Sequence, residues 1–222
     1  MIMSETLPIE GAGGTIRLAN VGDMKEVAEI LAEAFPTLYE STLGVRSKSE
    51  SAFLLQQLYS KGHLTLEDTH LFVSQGRISG VVVLHAKGLI GRGSPWDFGR
   101  LVYRHLGWFR GGRAFFGGLA ANLVLAKRIP HAPDLVYIEA LAVQETCRGQ
   151  GIGTLLLAEA ERLSRERGLS RIALHVLHRN LGAYRLYRRL GFLPWDKKDE
   201  LPSPETPLSP PWATLLMMRN LE

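Results

Sequence analysis

The sequence predicts a mixed α/β single domain. Three observations carry this. The chain has 222 residues, enough for one core plus an elaboration. Strand-like and helix-like segments alternate in the order β-α-α-β-β-(insertion)-β-α-β-α-β-β, with no internal repeat. The composition is 45% hydrophobic and 22% charged, which excludes a disordered chain or a collagen-like repeat. The single cysteine, Cys147, excludes an intrachain disulfide and a Cys-rich zinc site, and with them a disulfide scaffold. No metal is expected. The start Met1-Ile-Met-Ser-Glu-Thr lacks the basic lead and apolar run of a signal peptide, so a cytoplasmic setting is expected.

The lead-in through Gly11-Ala-Gly-Gly reads as frayed, and Thr15–Leu18 as a short strand. Asp23 and Glu26 are spaced as a capping box before Val27, Ile30, Leu31, Ala34 and Phe35 at helical spacing, and Pro36 closes that helix. A second helix covers 49–61, with Phe53, Leu54, Leu58 and Tyr59 on its apolar side. Residues 70–74 and 80–86 read as paired strands around Gln75-Gly76-Arg77.

The segment 87–133 breaks the pattern. It holds nine of the 23 glycines, seven Trp, Phe and Tyr, and eight Lys/Arg against the single acid Asp97. Its charge of +7 exceeds the +4 of the whole chain, so the remainder carries −3 and the basicity is local. The longest apolar run there, Ala114–Ala126, has thirteen residues, short of the ~20 that span a bilayer. An amphipathic helical insertion is expected, and the glycines argue against one long rigid helix. Its first reading is a structural flap or homodimer contact, its second a lid or acceptor wall, its third an attachment surface for membrane or another anionic partner. A nucleic-acid role is not expected, because the cations sit in one Gly-rich segment without a recognised motif.

Regular order returns with a strand over Leu135–Val143, a helix over 151–167 stopped by Gly168, a strand over Arg171–Leu177, and a helix over 180–190 closed by Gly191. Residues 192–195 read as a strand, the Pro-rich 196–211 as a loop, and 214–219 as a closing strand.

Chemistry concentrates after residue 136. There an apolar strand runs into the turn Arg148-Gly-Gln-Gly-Ile-Gly-Thr154, which opens a helix. Such a helix start offers unpaired N–H groups and the positive end of the macrodipole, and glycine lets phosphates approach the backbone. A diphosphate-bearing cofactor follows. The spacing is neither the G-x-G-x-x-G of a dinucleotide fold nor a P-loop.

With the second segment, Asn180-Leu-Gly-Ala183-Tyr-Arg-Leu-Tyr187-Arg-Arg-Leu-Gly191-Phe192, this region resembles the GNAT family of N-acetyltransferases. The family's Arg/Gln-x-x-Gly-x-Gly/Ala signature is matched by Arg148, Gly151 and Gly153. Its Asn-x-x-Ala-x-x-x-Tyr-x-x-x-Gly-Phe signature is matched by Asn180, Ala183, Tyr187, Gly191 and Phe192. The motif match covers about 136–195 and the element order extends it to 15–86. The insertion has no counterpart in the family's usual short connection. The resemblance implies a mixed, mostly antiparallel sheet flanked by helices, with the helical insertion before the central cofactor-binding strand. It divides the single domain into an N-terminal half (14–86), the basic insertion (87–133) and an acetyl-CoA-binding half (134–222).

The resemblance also implies a cofactor pose. The pantetheine arm would pair with Leu141, Ala142 and Val143. The pyrophosphate would sit on the amides of Arg148, Gly149, Gln150, Gly151, Ile152, Gly153 and Thr154. Asn180 and the helix carrying Ala183, Tyr184 and Tyr187 would line the thioester side. The implied reaction is direct transfer from acetyl-CoA to a primary amine of a small molecule or protein. The alternative is a catalytically silent acyl-CoA-binding or regulatory module.

A primary amine of pKa near ~10.4 is free base in only about one part in 2,500 at pH 7, a deficit of roughly 4.6 kcal/mol. Transfer therefore calls for a base, and Glu139 is the candidate, acting through a water. Strand alternation places it on one face with Leu141 and Val143. Tyr187 matches the family's usual thiolate acid. Each has a structural reading beside this one: Glu139 as a paired strand carboxylate, Tyr187 as a packing tyrosine, Arg148 as a solvated cation, Asn180 as a helix cap. Phe35, Tyr39 and Glu40 are candidate acceptor-lining residues, and His175 and His178 flank the end of the last core strand. Cys147 reads as an incidental turn residue.

Overall fold

The computed structural model describes residues 7–9, 13–61, 66–85, 94–128, 132–195 and 213–221. The expected loop 196–211, the flanks of the insertion and the expected strand end Ala86 lie outside these. The strands are β1 (Leu7–Ile9), β2 (Gly14–Leu18), β3 (Thr69–Ser74), β4 (Arg77–His85), β5 (Leu135–Val143), β6 (Arg171–Leu177), β7 (Leu193–Pro194) and β8 (Thr214–Asn220). The helices are α1 (Met24–Ala34), α2 (Pro36–Leu43), α3 (Lys48–Ser60), α4 (Pro95–Arg128), α5 (Ile152–Glu166) and α6 (Leu181–Arg189).

One sheet runs in the order β1-β2-β3-β4-β5-β6-β8-β7. Every pair is antiparallel except β5–β6. Helices cover both faces. On one face Val27, Ile30 and Leu31 of α1, Leu54 and Leu58 of α3 and Leu101 and Val102 of α4 pack over Leu71, Val81, Val83 and Ala142. On the other, Ile152, Leu156 and Ala160 of α5 and Tyr187 of α6 pack over Phe72, Val82, Leu84, Ile138, Leu174 and Met217. Each large aliphatic side chain buried this way contributes about 1.5–3 kcal/mol.

Four local expectations are corrected. The lead-in contains a strand, because β1 pairs with β2 through Leu7 opposite Ile16. The capping box sits three residues earlier than read: the Asn20 side chain accepts from Gly22 N–H, and the Asp23 carboxylate accepts from Asn20 N–H at 2.8 Å. Asp23 has a second duty in a bidentate pair with Arg17, at 2.7 and 2.8 Å. Pro36 opens a helix as well as closing one, since it occupies the first turn of α2, where a missing N–H costs nothing. Phe53 lies outside the α3 core face and meets His105 of α4 edge-on, with ring centroids 4.8 Å apart.

The insertion is helical, in two arms. Gly107 interrupts α4 with φ 75° and ψ 178°, outside helical geometry. The arms fold back on each other, as successive close approaches show: Gly99 against Phe115, Tyr103 against Gly111, and Phe98 against Gly118. Arg110 fastens this hairpin to the body by donating to the Gly44 carbonyl at 3.1 Å and to the Glu50 carboxylate at 2.5 Å.

Candidate active site

The parallel pairing of β5 with β6 runs from Leu135 opposite Arg171 to Ile138 opposite Leu174 and stops there. Each strand continues, β5 to Val143 and β6 to Leu177, so the sheet opens between them. β5 stays paired with β4 along this stretch, as far as Val143 opposite Gly80. Backbone beyond Ile138 is thus held rigidly on one side and open on the other.

β5 leads into the Gly-rich turn and α5. Gly149 and Gly151 have φ of 78° and 81°, in the left-handed region where a Cβ is strained. Gly151 is the N-cap of α5; it has no side chain to cap the helix, and the first turn carries no acid. That leaves first-turn N–H groups and the positive helix end facing outward. The Arg148 guanidinium donates back to the Val143 carbonyl at 3.3 Å. Gly153 makes room for α6, since a Cβ there would lie 3.3 Å from Leu186. Glu33 of α1 accepts from the Glu145 N–H at 3.2 Å and pairs with Lys48, tying the approach to this turn to the helical layer.

Leu141 and Val143 pack with Ala183, Tyr184 and Tyr187 on the α5–α6 face. Ala142 points to the opposite core, so only its backbone is available to a ligand on this side. The Asn180 side chain accepts from the Ala183 N–H at 3.1 Å and caps α6. Tyr187 is buried beside Phe192, with ring centroids 5.9 Å apart, and burial alone pushes its phenol above the ordinary range.

Glu139 stands apart from this group. Val83 lies opposite Ala140 and Leu84 opposite Ile138, so Glu139 is the extra residue of a β-bulge. The bulge inverts the alternation, which corrects the expectation that Glu139 shares a face with Leu141 and Val143. Its carboxylate bonds to His85 Nε2 on the α1–α4 face and is partly exposed. Three tyrosines lie within its field, half-buried Tyr39 of α2 and the buried Tyr59 of α3 and Tyr137 of β5. Desolvation first, and the Glu139 charge in addition, push their phenols up. Tyr137 shares a hydrogen bond of 2.8 Å with His175 Nδ1. Tyr187 and Glu139 therefore lie on opposite faces of the sheet, both close to where the β5–β6 pairing ends.

Of the acceptor-side residues named from sequence, Tyr39 is in this group, while Glu40 contributes only its carbonyl, which accepts from Arg113. His85, Tyr59 and Tyr137 were missed. The antiparallel register sets His85 directly opposite Tyr137, a relation visible only once β4 and β5 are paired. Among the described residues no group of three or more His, Cys, Asp or Glu is arranged to hold a metal.

A sheet opened at the parallel β5–β6 pair, beside a Gly-rich helix start without a side-chain cap, defines an α/β domain built to take an extended, anion-bearing ligand. Solved structures carry the same fold. A histone acetyltransferase HPA2 and related acetyltransferase from Corynebacterium glutamicum superposes with a TM-score of 0.57 at 20% identity, covering 93% of this chain and 95% of its own. The PaiA N-acetyltransferase from Thermoplasma acidophilum, solved in complex with coenzyme A, gives 0.53 at 16%, covering 92% and 97%. The ribosomal-protein-S18-alanine N-acetyltransferase from Escherichia coli gives 0.51 at 14%, covering 94% of each. No curated protein sequence matches the chain. The acetyltransferase (GNAT) family model matches residues 25–192, and the chain belongs to that family.

Proposed function

We propose that this protein is an acetyl-CoA-dependent N-acetyltransferase that passes the acetyl group directly to a primary amine, on a small molecule or on a peptide or protein. The observation that carries this reading is the sheet opening between β5 and β6, with an anion-attracting helix start on one side and a His-paired carboxylate on the other.

The residues fit coenzyme A. Backbone of 141–143 borders the opening, and the amides of 149–153 surround a helix start free of acid and of side-chain cap, while those of Arg148 and Thr154 already donate to the Glu145 and Gly151 carbonyls. Nothing lies within 4 Å of where a Cβ would stand on Gly149 or Gly151, so a phosphate can reach that backbone. When bound, the cofactor supplies an activated acyl thioester.

The chain's own groups do the rest. Glu139, through a water, takes the proton from the attacking nitrogen, and His85 holds the carboxylate in place. The C–N bond forms as the C–S bond breaks. Tyr187, raised by burial from an ordinary value near 10, is a weaker acid than a thiol of about 8.5. It therefore stabilises the departing sulfur by donating an O–H hydrogen bond, and full proton transfer to the sulfur comes from solvent. The tyrosines at 39, 59 and 137 wall the acceptor side with apolar rings, a surface suited to an amine on an uncharged or aromatic body.

Glu139→Gln tests the assignment. With an accepted amine, turnover should fall by about 10²–10⁴-fold while acetyl-CoA affinity measured by calorimetry stays put. Unchanged turnover would remove Glu139 from the chemistry. Acetyl-CoA binding without turnover on any amine would favour the silent acyl-CoA-binding module.

A further inference from the structure

The α4 hairpin exposes what a folded domain normally hides. Trp96 is 81% exposed, Trp108 79% and Phe109 91%, and Phe116 is also exposed. Trp108 and Phe109 follow the Gly107 break directly and so sit at the tip. Phe109 and Phe116 are seven residues apart, on one stripe of the second arm. On the first arm Arg100 and Arg104 follow Trp96 at i+4 and i+8; both are exposed and neither forms an ion pair with a described residue.

The inward sides of the arms are already used. Leu101, Val102, Leu106 and Ala114 join the core, Arg110 is clamped to Gly44 and Glu50, and His105 meets Phe53. The outward aromatics make only two described ring contacts, Trp108 tilted against Tyr103 and Phe116 edge-on to Phe115, and stay exposed despite them. Bare tryptophan and phenylalanine among arginines on a helical surface match the physics of an anionic lipid interface: rings enter the headgroup boundary while guanidinium groups stay with the phosphates. No described helix is long and apolar enough to cross a membrane, so the contact is peripheral.

We propose that the tip and outer face of this hairpin dock the protein onto bilayers containing anionic phospholipid. Charge selects this occupant over a second copy of the chain, because two segments of +7 repel one another. It also selects lipid over nucleic acid, since among the described residues of the hairpin the four exposed rings outnumber the three exposed arginines without an ion pair, Arg100, Arg104 and Arg113. The inference does not depend on the acetyltransferase reading.

The test is flotation of the full chain with vesicles of phosphatidylcholine alone and with 30% phosphatidylglycerol, at low and high salt. Bound protein on the anionic vesicles only, released by salt, is the expected result. Trp108→Ala/Phe109→Ala should lower that partitioning tenfold or more. Arg100→Gln/Arg104→Gln should lower it roughly thirtyfold on anionic vesicles and leave neutral ones unaffected. An unchanged melting temperature and circular dichroism spectrum show that the variants are folded. Absence of flotation, equal flotation with the Trp108/Phe109 variant, or equal binding to neutral vesicles would overturn the proposal. So would a concentration-dependent dimer, or salt-sensitive binding of mixed-sequence DNA, that the same variants abolish while vesicles bind nothing.

Discussion

Glycine is concentrated in two places in this molecule, and the two do opposite things. In the turn before α5, Gly149 and Gly151 adopt positive φ, and nothing stands within 4 Å of where a Cβ would go. In the α4 hairpin, a Cβ on Gly111 would lie 2.7 Å from the Tyr103 Cα, and one on Gly118 would lie 3.1 Å from the Phe98 ring. The first set keeps backbone bare toward the outside, where a ligand approaches. The second removes side chains so that two helices of the same chain can touch. A glycine's role is therefore decided by what faces it, and neither the count nor the spacing in the sequence states that.

Substitution separates the two roles. Gly151→Asp should have the larger effect, on binding: an aspartate there puts a negative charge where the pyrophosphate is expected, at the positive end of α5. Acetyl-CoA affinity in a calorimetric titration should fall at least about a hundredfold, equivalent to ~2.7 kcal/mol. Aspartate tolerates the left-handed region better than most residues, so the fold should survive. If affinity is unchanged while the protein melts early, the turn is structural and the contrast collapses.

Gly111→Leu should do the reverse. Its Cβ would meet backbone, which cannot swing away, so stability should drop by about 1–3 kcal/mol, read by thermal or urea unfolding, with acetyl-CoA affinity unaltered. The neighbour sharpens the test. At Gly112 the nearest atom to a Cβ is the Tyr103 hydroxyl at 3.4 Å, an ordinary contact. Gly112→Ala should then stabilise by roughly 0.5–1 kcal/mol. Equal losses at 111 and 112 would show that the arms do not pack as described.

The same two regions differ in how far sequence reasoning reaches. From Leu135 to Gly191 the expected elements match those observed to within a residue or two, because Gly168 and Gly191 stop their helices and the apolar periodicities are unbroken. The two signature segments also meet in space, with Gly153 facing Leu186. The position of Glu139 was not legible. A bulge leaves the sequence of β5 looking like uninterrupted alternation, and only the pairing with β4 reveals which face the carboxylate takes. His85, Tyr59 and Tyr137 were hidden for the same reason: they come from two strands and a helix that only the tertiary structure assembles. In the hairpin, composition announced helices without a long rigid one, and amphipathicity ranked membrane contact third among its roles. The exposure of Trp96, Trp108 and Phe109, on which the docking proposal rests, is a property of packing that composition does not state.

Each region is fastened to the α1–α3 layer by one carboxylate, and acid should loosen both by small, comparable amounts. At the turn, the Lys48 ammonium first, then the Glu145 N–H, hold the Glu33 carboxyl below its usual range. At the hairpin, burial pushes the Glu50 carboxyl up, but Arg110 and the Arg46 N–H together outweigh it and the net shift is downward. A carboxyl with a lowered folded-state pKa binds fewer protons folded than unfolded in the window between the two values. Its contribution is complete well above the unfolded value near ~4.3 and is lost as pH falls from there through the folded value. Both groups are about a quarter exposed, so each contribution is about 1 kcal/mol or less. Unfolding free energy measured from pH 6 to pH 3 should therefore decline less steeply in Glu33→Gln and in Glu50→Gln than in the parent chain. Glu50→Gln should also loosen the hairpin, raising amide exchange there and not at the α5 turn. Identical exchange in both regions would mean that the hairpin is held by its apolar contacts with α3, and that the Arg110 clamp adds nothing measurable.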